Sequence, residues 1–451
     1  MTLSMLAKFI DCDFQGCDQS VTGVSIDTRT LEKGQLFIAI KGEHFDGHEF
    51  VSVARDKGAV AVMVSENVIT ELPCLKVNNT LSGLQLLAAN WRNQFNLPIV
   101  AVTGSNGKTT VKELIGSILS VHCKDVLMTK GNLNNHIGVP LTLLRLNNTH
   151  KFAVIEMGMN HPGEISRLTR LAKPDVAVVN NAMLAHVEAF DSVLEVAAAK
   201  SEIFQGLSAG GIAVLNADDP NYEFFRKQIG SHQYIDFGLK AKAMVTAKPS
   251  HLHEHIDLFV KTPVGNIKVK LNLLGQHNAM NALAATASAL ALDVDLESIK
   301  SGLEQVIPVK GRLQPIKLSN GVVVLNDTYN ANPDSMKAGI DVLVQIPGSK
   351  KILVAGDMGE LGEHSVQLHA QIGKYAAANN LDAFLSLGSQ MNLGAKAFGE
   401  HGFNTQRINE LIDRVVSESE RNCVILVKGS RSMRMERVVE SLISNDNGGQ
   451  R

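Results

Sequence analysis

Residues 98–110 of the chain read PIVAVTGSNGKTT, which indicates a strand, a loop and a helix in succession. PIVAVTG is typical of a buried strand, and a helical pattern runs from Thr109 to about residue 119. Between them lies TGSNGKTT, in which Gly104, Ser105, Asn106, Gly107, Lys108, Thr109 and Thr110 form a loop. Backbone N–H groups of such a loop surround phosphate oxygens, a lysine reaches the outer phosphates and a hydroxyl binds Mg²⁺. The alternative, a glycine-rich turn that binds no anion, is disfavoured by the strand, the Lys-Thr pair and the helix together.

The loop departs from the common pattern G-x-x-x-x-G-K-[ST]. That pattern requires glycine five residues before Gly107, where this chain has Val102. The shorter loop points away from most GTPases and motor ATPases.

Further strands on either side of this loop predict the architecture. Apolar segments KFAVIEMG, PDVAVVNN and GIAVLNADD alternate with helical stretches, which predicts parallel βαβ units. After residue 234 the pattern alternates and predicts an antiparallel appendix, followed by an alanine-rich helix. Residues before about 80 read as short strands and turns, and a second βα series begins near residue 310. We therefore expect an α/β protein of three domains: a small α/β domain at 1–82, a central parallel-sheet domain at 83–310 and a Rossmann-like domain at 311–451.

Composition narrows the class of protein. The 451 residues carry 43 Lys and Arg against 45 Asp and Glu, a net charge of −2, which argues against a broad basic surface for nucleic acid. The five cysteines are scattered and include no CxxC pair, so a reducing compartment is expected. No apolar run approaches the roughly 18 residues of a membrane-spanning helix. These features predict a cytoplasmic protein that is not inserted in a membrane.

Three residues after the loop are candidates for metal binding. Glu156 ends an apolar strand, so it is expected at the same sheet edge as the loop, where a carboxylate binds Mg²⁺. A solvated glutamate at the end of a strand is the alternative. His186 and Lys200 follow the next strand, and each is by itself more often a structural histidine or a solvated lysine.

Polar clusters elsewhere offer binding groups. The segment at 131–140 contains Asn134 and Asn135, which form a turn network or line a substrate site. Near the start of the alanine-rich helix, asparagines could read an adenine edge or cap the helix. In the third region Arg312 suits a phosphate and Asp327 a ribose hydroxyl, although each could instead be a loop ion pair or turn residue.

Taken in order, these motifs resemble the Mur ligases, ATP-dependent enzymes that form amide bonds in bacterial peptidoglycan synthesis. The resemblance rests on TGSNGKTT, GNLNNHIGVP, VIEMGM, His186 with Lys200, GQHNAMNALAA, Gly311-Arg312 and NDTYNANP, and it spans nearly the whole chain. Segments at 25–50, 198–204, 326–336, 353–365 and 427–440 imply the substrates UDP-N-acetylmuramoyl-tripeptide and D-alanyl-D-alanine. Ser201 stands where we would expect glycine.

The resemblance implies a UDP-sugar domain, an ATPase domain and a Rossmann-like domain, and it implies roles for individual residues. The catalytic residues would be Lys108, Glu156, His186 and Lys200, and Thr109, Glu156, His186 and Lys200 would bind two Mg²⁺ ions. The resemblance also implies that Lys200 is carbamylated, and the alternative is a plain lysine paired with a neighbouring acid. ATP would be bound by 104–110 together with His277, Asn278, Asn281, Arg312 and Asp327. The substrates would be bound by Ser25, Asp27, Arg29, Asp46, Gly47, His48, Asn134, Asn135, Asn330 and Asn332. We expect a monomer.

Two other functions remain as alternatives. Folylpolyglutamate synthetase has a similar short loop, but GKTT and the SIDTR and FDGHEF segments disfavour it. A non-enzymatic ATP-dependent switch would need only the loop. The third residue of the tripeptide, L-lysine or meso-diaminopimelate, is left open by the sequence.

Overall fold

A computed structural model describes residues 1–183, 190, 192–251 and 254–448, and these form three β-sheets, each in its own region of the chain. The first sheet has the order β1-β5-β4-β3-β2 and is parallel apart from β1. Its strands and helices are α1 (Leu3–Phe9), β1 (Phe14–Gln15), β2 (Val24–Ser25), β3 (Leu36–Ile38), α2 (Val51–Asp56), β4 (Ala61–Val64) and β5 (Cys74–Lys76).

Helix α3 (Thr80–Arg92) connects the first sheet to the second. The Asn79 side chain caps it by accepting from the Ser82 N–H. Its buried Leu84 and Leu87 belong to a core that also includes residues of the first two sheets. The domain boundary that we placed at residue 82 falls inside this helix.

The second sheet has nine strands in the order β14-β13-β12-β11-β10-β9-β6-β8-β7. Strands β6, β8, β9 and β10 are parallel to their neighbours, as the apolar runs predicted, and β7 and β11 join them in parallel. Strand β12, which we expected to be antiparallel, pairs in parallel with β11, and β13 and β14 continue from it in antiparallel pairs. The predicted antiparallel appendix is therefore not a separate unit but the edge of this sheet. The elements are β6 (Ile99–Thr103), α4 (Lys108–Cys123), β7 (Val126–Met128), α5 (Gly138–Leu143), β8 (Phe152–Glu156), α6 (Glu164–Ala172), β9 (Val176–Val179), α7 (Val193–Ser201), β10 (Ile212–Asn216), α8 (Tyr222–Gln228), β11 (Gln233–Gly238), β12 (Val245–His251), β13 (Ile256–Thr262), β14 (Gly265–Leu271), α9 (Gln276–Leu290) and α10 (Leu296–Gln305).

The third sheet has the order β15-β16-β20-β17-β18-β19, and only β15 is antiparallel to its neighbour within this described sheet. Separate apolar clusters cover its two faces, as expected for a doubly wound sheet. The elements are β15 (Gln314–Lys317), β16 (Val323–Asp327), α11 (Pro333–Gln345), β17 (Lys351–Gly356), α12 (Ser365–Ala378), β18 (Ala383–Leu387), α13 (Met391–Phe398), β19 (Gly402–Thr405), α14 (Ile408–Glu418), β20 (Val424–Lys428) and α15 (Glu436–Gly448).

The second boundary that we placed, at residue 310, falls between α10 and β15. Across the described residues, every helix is too short or too polar to cross a membrane.

Candidate active site

A cavity of about 1420 Å³ lies between the second and third sheets. The loop between β6 and α4 forms one wall, and residues that follow β16, β17 and β20 form the facing wall. Ligands of parallel α/β sheets bind beyond the carboxyl ends of the strands, which is where this cavity lies.

The loop is closely packed against a buried group of asparagines. Gly107 has φ +81°, and a Cβ atom built on it would lie 2.4 Å from Asn281 Oδ1 and 2.6 Å from Asn180 Nδ2. Both the left-handed backbone and the lack of space therefore require glycine.

Asn181, two residues beyond the end of strand β9, holds the first half of the loop. The Ser105 N–H donates to the Asn181 carbonyl at 3.0 Å, and the Asn106 N–H donates to Asn181 Oδ1 at 2.9 Å. These two amides are engaged within the protein. The free N–H groups at the start of α4, at Lys108 to Thr110, are the remaining donors for a phosphate.

Lys108 lies within the loop and donates from Nζ to the Gly104 carbonyl at 2.7 Å. Loss of hydration lowers the pKa of its ammonium, whereas the Glu156 carboxylate raises it. The lysine is positioned where an anionic ligand would meet it at the edge of the cavity.

Glu156, at the end of β8, is only 2% exposed. Its Oε1 accepts from Asn134 Nδ2 at 2.8 Å, but its buried Oε2 has no hydrogen-bond partner. A buried carboxylate oxygen without a partner is costly unless a ligand or an ion occupies the site. The Thr109 hydroxyl, which accepts from Arg312 at 3.3 Å, lines the same cavity. These oxygens fit the chemistry of a divalent cation.

Lys200, in α7, is 2% exposed. Burial, and then the charge of Lys108, holds the pKa of its amine well below the usual range. The neutral amine is therefore favoured. His186, the expected partner of Lys200, lies outside the described residues.

At the start of α9 the predicted adenine-reading asparagines form a buried chain of amides. Asn278 Oδ1 accepts from Asn281 at 2.9 Å, and Asn281 Oδ1 accepts from Asn180 at 2.9 Å. Gly275 occupies the N-cap position, so the alternative role of an asparagine as the cap is wrong. His277 lies in the cavity wall.

The third region contributes a row of charged and polar groups. Arg312 stacks on the Tyr329 ring with its guanidinium carbon 4.0 Å from the ring centre. Asp327 Oδ2 accepts from the buried Lys428 at 2.6 Å, and Asp327 Oδ1 accepts from the Leu313 N–H at 3.0 Å. The carboxylate that we predicted for a ribose hydroxyl thus already has a partner on each oxygen.

Asn330 and Asn332 also line the cavity. The Asn330 carbonyl accepts from Lys428 at 2.8 Å. Asn332 caps α11 with its oxygen and donates from Nδ2 to Asn106 Oδ1 at 2.8 Å, which joins the third region to the loop. By contrast, Asn135 does not line the cavity. Its side-chain oxygen accepts from the Ile137 and Gly138 N–H groups at the start of α5.

The predicted sugar-nucleotide residues form two small networks in the first region. Arg29 binds both oxygens of Asp27, and the Ser25 hydroxyl bonds the Asp27 backbone. His48 Nδ1 lies 2.6 Å from Asp46 Oδ1. Gly47 packs so closely on β3 and its continuation that a Cβ atom would lie 2.7 Å from the Ile40 N. These residues do not line the large cavity.

The sequence analysis did not single out five residues that line the cavity or support the loop. They are Asn180, Asn181, Asp218, Asp219 and Glu360. A usable signal was present for four of them, because VVNN and LNADD directly follow β9 and β10, at the same sheet edge as the loop.

Three protein-family models match the chain. The Mur ligase middle domain matches residues 102–289, the "Mur ligase, glutamate ligase domain" matches 311–431, and the "Mur ligase family, catalytic domain" matches 20–95. The chain belongs to the Mur ligase family.

Individual relatives within the family are similar to the chain along its whole length. The chain is 43% identical to the UDP-N-acetylmuramoyl-tripeptide--D-alanyl-D-alanine ligase of Escherichia coli (strain K12), over 99% of each chain. It superposes on the crystal structure of MurF from Acinetobacter baumannii with a TM-score of 0.91, at 35% identity over 98% of each chain. It also superposes on MurF from Thermotoga maritima in complex with ADP, with a TM-score of 0.83, at 28% identity over 94% of this chain and 98% of that one.

Proposed function

We propose that the protein joins D-alanyl-D-alanine to UDP-N-acetylmuramoyl-tripeptide and hydrolyses ATP to ADP and phosphate as it does so. The observation that carries this proposal is similarity along the whole chain, at 43% identity, to a ligase named for those substrates. The cavity supports it, because a phosphate loop and a second α/β region face each other across a space large enough for several ligands.

The chemistry requires two steps. The tripeptide carboxylate first attacks the γ-phosphate of ATP, which gives an acyl phosphate and ADP. The amine of D-alanyl-D-alanine then attacks the acyl carbon, an amide forms, and phosphate leaves with a proton released from the amine. In the first step an anion approaches a triphosphate, so a positive charge near the transferred phosphoryl group is essential. Lys108, whose Nζ lies in the loop against the Gly104 carbonyl, would supply that charge.

The oxygens of Thr109 and Glu156 would hold one Mg²⁺, since Glu156 Oε2 is buried without a partner. When bound, Mg²⁺ would neutralise part of the negative charge of the phosphates. His186 and Lys200 would serve a second ion. The ATP would occupy the segment 104–110 and the side of the cavity lined by His277, Asn278, Asn281, Arg312 and Asp327.

For that second site we propose that Lys200 is carbamylated. A neutral lysine amine adds CO₂ and loses one proton, which gives an anionic carbamate with two oxygens. The buried Lys200 has its amine pKa lowered by burial, so the reactive neutral form is favoured. An ammonium at this position would have no lone pair for a metal and would be repelled by it.

The remaining assignments follow the division into regions at 1–82, 83–310 and 311–451. The UDP-sugar would bind the first region at Ser25, Asp27, Arg29, Asp46, Gly47 and His48. Asn134, Asn135, Asn330 and Asn332 would contact the peptide substrates. We further propose a monomer that works in the cytoplasm, where its five free cysteines would remain reduced.

One set of incubations tests the function. The protein receives ATP, Mg²⁺ and UDP-N-acetylmuramoyl-tripeptide, with either L-lysine or meso-diaminopimelate as third residue, and competing acceptors D-alanyl-D-alanine, D-alanine and L-glutamate. Mass spectrometry should detect addition of the dipeptide alone. Addition of glutamate, or ATP hydrolysis that no acceptor stimulates, would contradict the proposal.

A further inference from the structure

A buried histidine lies behind the third-region wall of the cavity. His369, in α12, is 0% exposed. Its Nε2 lies 2.9 Å from the Met358 N and its Nδ1 lies 2.7 Å from the Ser365 carbonyl oxygen. An N–H group only donates and a carbonyl oxygen only accepts, so Nε2 is the acceptor and Nδ1 carries the proton. The two contacts together define a neutral imidazole in a single tautomer.

Met358 belongs to the wall segment, which we define as residues 357–361 between β17 and α12. Gly359, Glu360 and Leu361 of this segment line the cavity. Glu360 has φ +60°, a left-handed backbone that a non-glycine residue adopts only where its surroundings hold it. Its carboxylate is close enough to the phosphate-loop lysine to raise the pKa of Lys108.

The wall segment has a second anchor beside the first. Asp357 Oδ1 accepts from the Met391 N–H at 2.7 Å, and the Asp357 carbonyl accepts from the Ser430 N–H at 3.0 Å. Ser430 lines the cavity as well. Met358 lies between Asp357, which holds Ser430, and Glu360. The hydrogen bond that His369 accepts from Met358 therefore supports both parts of the wall.

The hydrogen bond that the Met358 N–H donates to His369 Nε2, which we call the clamp, depends on the charge of the imidazole. A proton on Nε2 would place two N–H donors against each other at the Met358 contact. Burial lowers the pKa of His369, whereas the Ser365 carbonyl and the Asp357 carboxylate raise it. Several charged side chains lie on the wall segment, the turn after it, α11, α12 and α13, but among these described groups only Asp357 acts on His369. They are Asp334, Lys337, Asp341, Asp357, Glu360, Glu363, His364, Lys374 and Lys396.

We propose that His369 is a positioning residue for ligation, which in its neutral form clamps Met358 and holds Glu360 and Ser430 toward the phosphate loop, and on protonation releases them. The proposal rests on the proposed ligase function for its activity readout. Only the neutral imidazole makes the contact with Met358. Its contribution to the stability of the wall segment is therefore complete above the ordinary histidine pKa of about 6.5, and it is lost as the pH falls through the lower pKa that His369 has in the folded protein.

Two variants of this residue test the proposal. His369→Gln retains an amide oxygen that reaches the Met358 N–H and does not titrate, so activity at pH 8 should persist and the acid limb of the kcat profile should move to lower pH. His369→Asn is shorter: it reaches the Ser365 carbonyl but leaves the Met358 N–H without a partner. Its kcat should fall about tenfold, while the KM for the UDP substrate stays constant. Undiminished kcat in His369→Asn, or identical acid limbs in His369→Gln and the unmodified protein, would overturn the proposal.

A second measurement does not depend on the substrates. Hydrogen exchange of the unmodified protein is compared at pH 7.5 and pH 5.5, after correction for intrinsic exchange rates. Protection of residues 357–361 should fall at least about tenfold at the lower pH, while strand β17 stays protected. Equal protection of the wall segment at both values, or an equal loss in β17, would exclude the clamp even if ligation with D-alanyl-D-alanine were not observed.

Discussion

Asn332 Nδ2 donates to Asn106 Oδ1 at 2.8 Å, across 226 positions of sequence. The same asparagine uses its Oδ1 to cap α11, so one amide group begins a helix of the third region and contacts the phosphate loop of the second. The relative position of the two walls therefore affects the side chain of Asn106 directly.

Separating these two roles gives a first prediction. Asn332→Asp keeps the cap oxygen but loses the Nδ2 donor, so kcat should fall about tenfold with little change in thermal stability. Asn332→Ala, which loses both, should also reduce the free energy of unfolding by about 1 kcal/mol. Steady-state kinetics and thermal unfolding measure the two effects, and an unchanged kcat in Asn332→Asp would contradict a role for the bridge.

Removing the loop lysine should separate catalysis from folding. Lys108→Ala should lower kcat by about a hundredfold to a thousandfold, because a preorganised charge at the transferred phosphoryl group is lost. Circular dichroism should show a folded protein. Lys396→Ala, at an exposed site on α13, is the matched control and should remain fully active. Near-normal turnover in folded Lys108→Ala would contradict the ATP-dependent mechanism.

Carbamylation of Lys200 predicts a chemical signature. Lys200→Ala should be nearly inactive, and a short carboxylate such as acetate should restore part of the activity. In the unmodified protein, ¹³CO₂ should give a carbamate signal in NMR spectra that Lys200→Ala lacks. Lys200→Arg serves as the control, since it keeps a cation but cannot form the carbamate, and it should stay inactive with acetate. Full activity of Lys200→Ala without added carboxylate would rule this residue out of the mechanism.

In the first region the prediction concerns Arg29, whose side chain is 87% exposed. Arg29→Ala should raise the KM for the UDP substrate several-fold and leave the KM for ATP unchanged. Arg55→Ala, which removes another exposed arginine paired with a neighbouring aspartate, is the control. Equal changes in both KM values would instead assign the Asp27–Arg29 pair a structural role.

The pH dependence of the first region provides another test. Hydrogen bonds from the backbone and side chain of His48 lower the pKa of Asp46 to about 2. Its stabilising contribution is therefore present above pH 4 and is lost as the pH falls toward 2. Thermal unfolding of the unmodified protein and of Asp46→Asn should differ near neutral pH, and the difference should shrink on acidification. A constant difference across this range would mean that Asp46 acts through something other than its charge.

The sequence predicted those parts of the fold that local patterns encode. Continuous apolar runs such as Ile99–Thr103 and Val424–Lys428 are buried parallel strands because both faces of their sheets are covered. Strands β15 (Gln314–Lys317) and β19 (Gly402–Thr405) were missed, since one contains a proline and neither has an apolar run. Membership of the antiparallel strands in the central sheet depends on pairing with β11, which no local pattern specifies.

For the site, the residue types were predictable but their partners were not. The loop and Glu156 were proposed because the loop directly follows a buried strand and Glu156 ends one. The pairing of Asp327 with Lys428, 101 positions apart, and the chain from Asn180 to Asn278 arise from tertiary packing. Neither contact is visible in the local sequence, so the expectations for Asp327 and for the asparagines of α9 were made without these partners.

Three carboxamide side chains form a hydrogen-bonded chain beneath Gly107 of the phosphate loop. Asn180, Asn281 and Asn278 neither gain nor lose a proton over the pH range in which proteins are folded. These three side chains therefore add no titrating charge beneath Gly107, and changes of charge near the loop come from other side chains around it. A pH profile of ligation therefore reports on titrating groups such as His369 and the substrate amine rather than on these three asparagines.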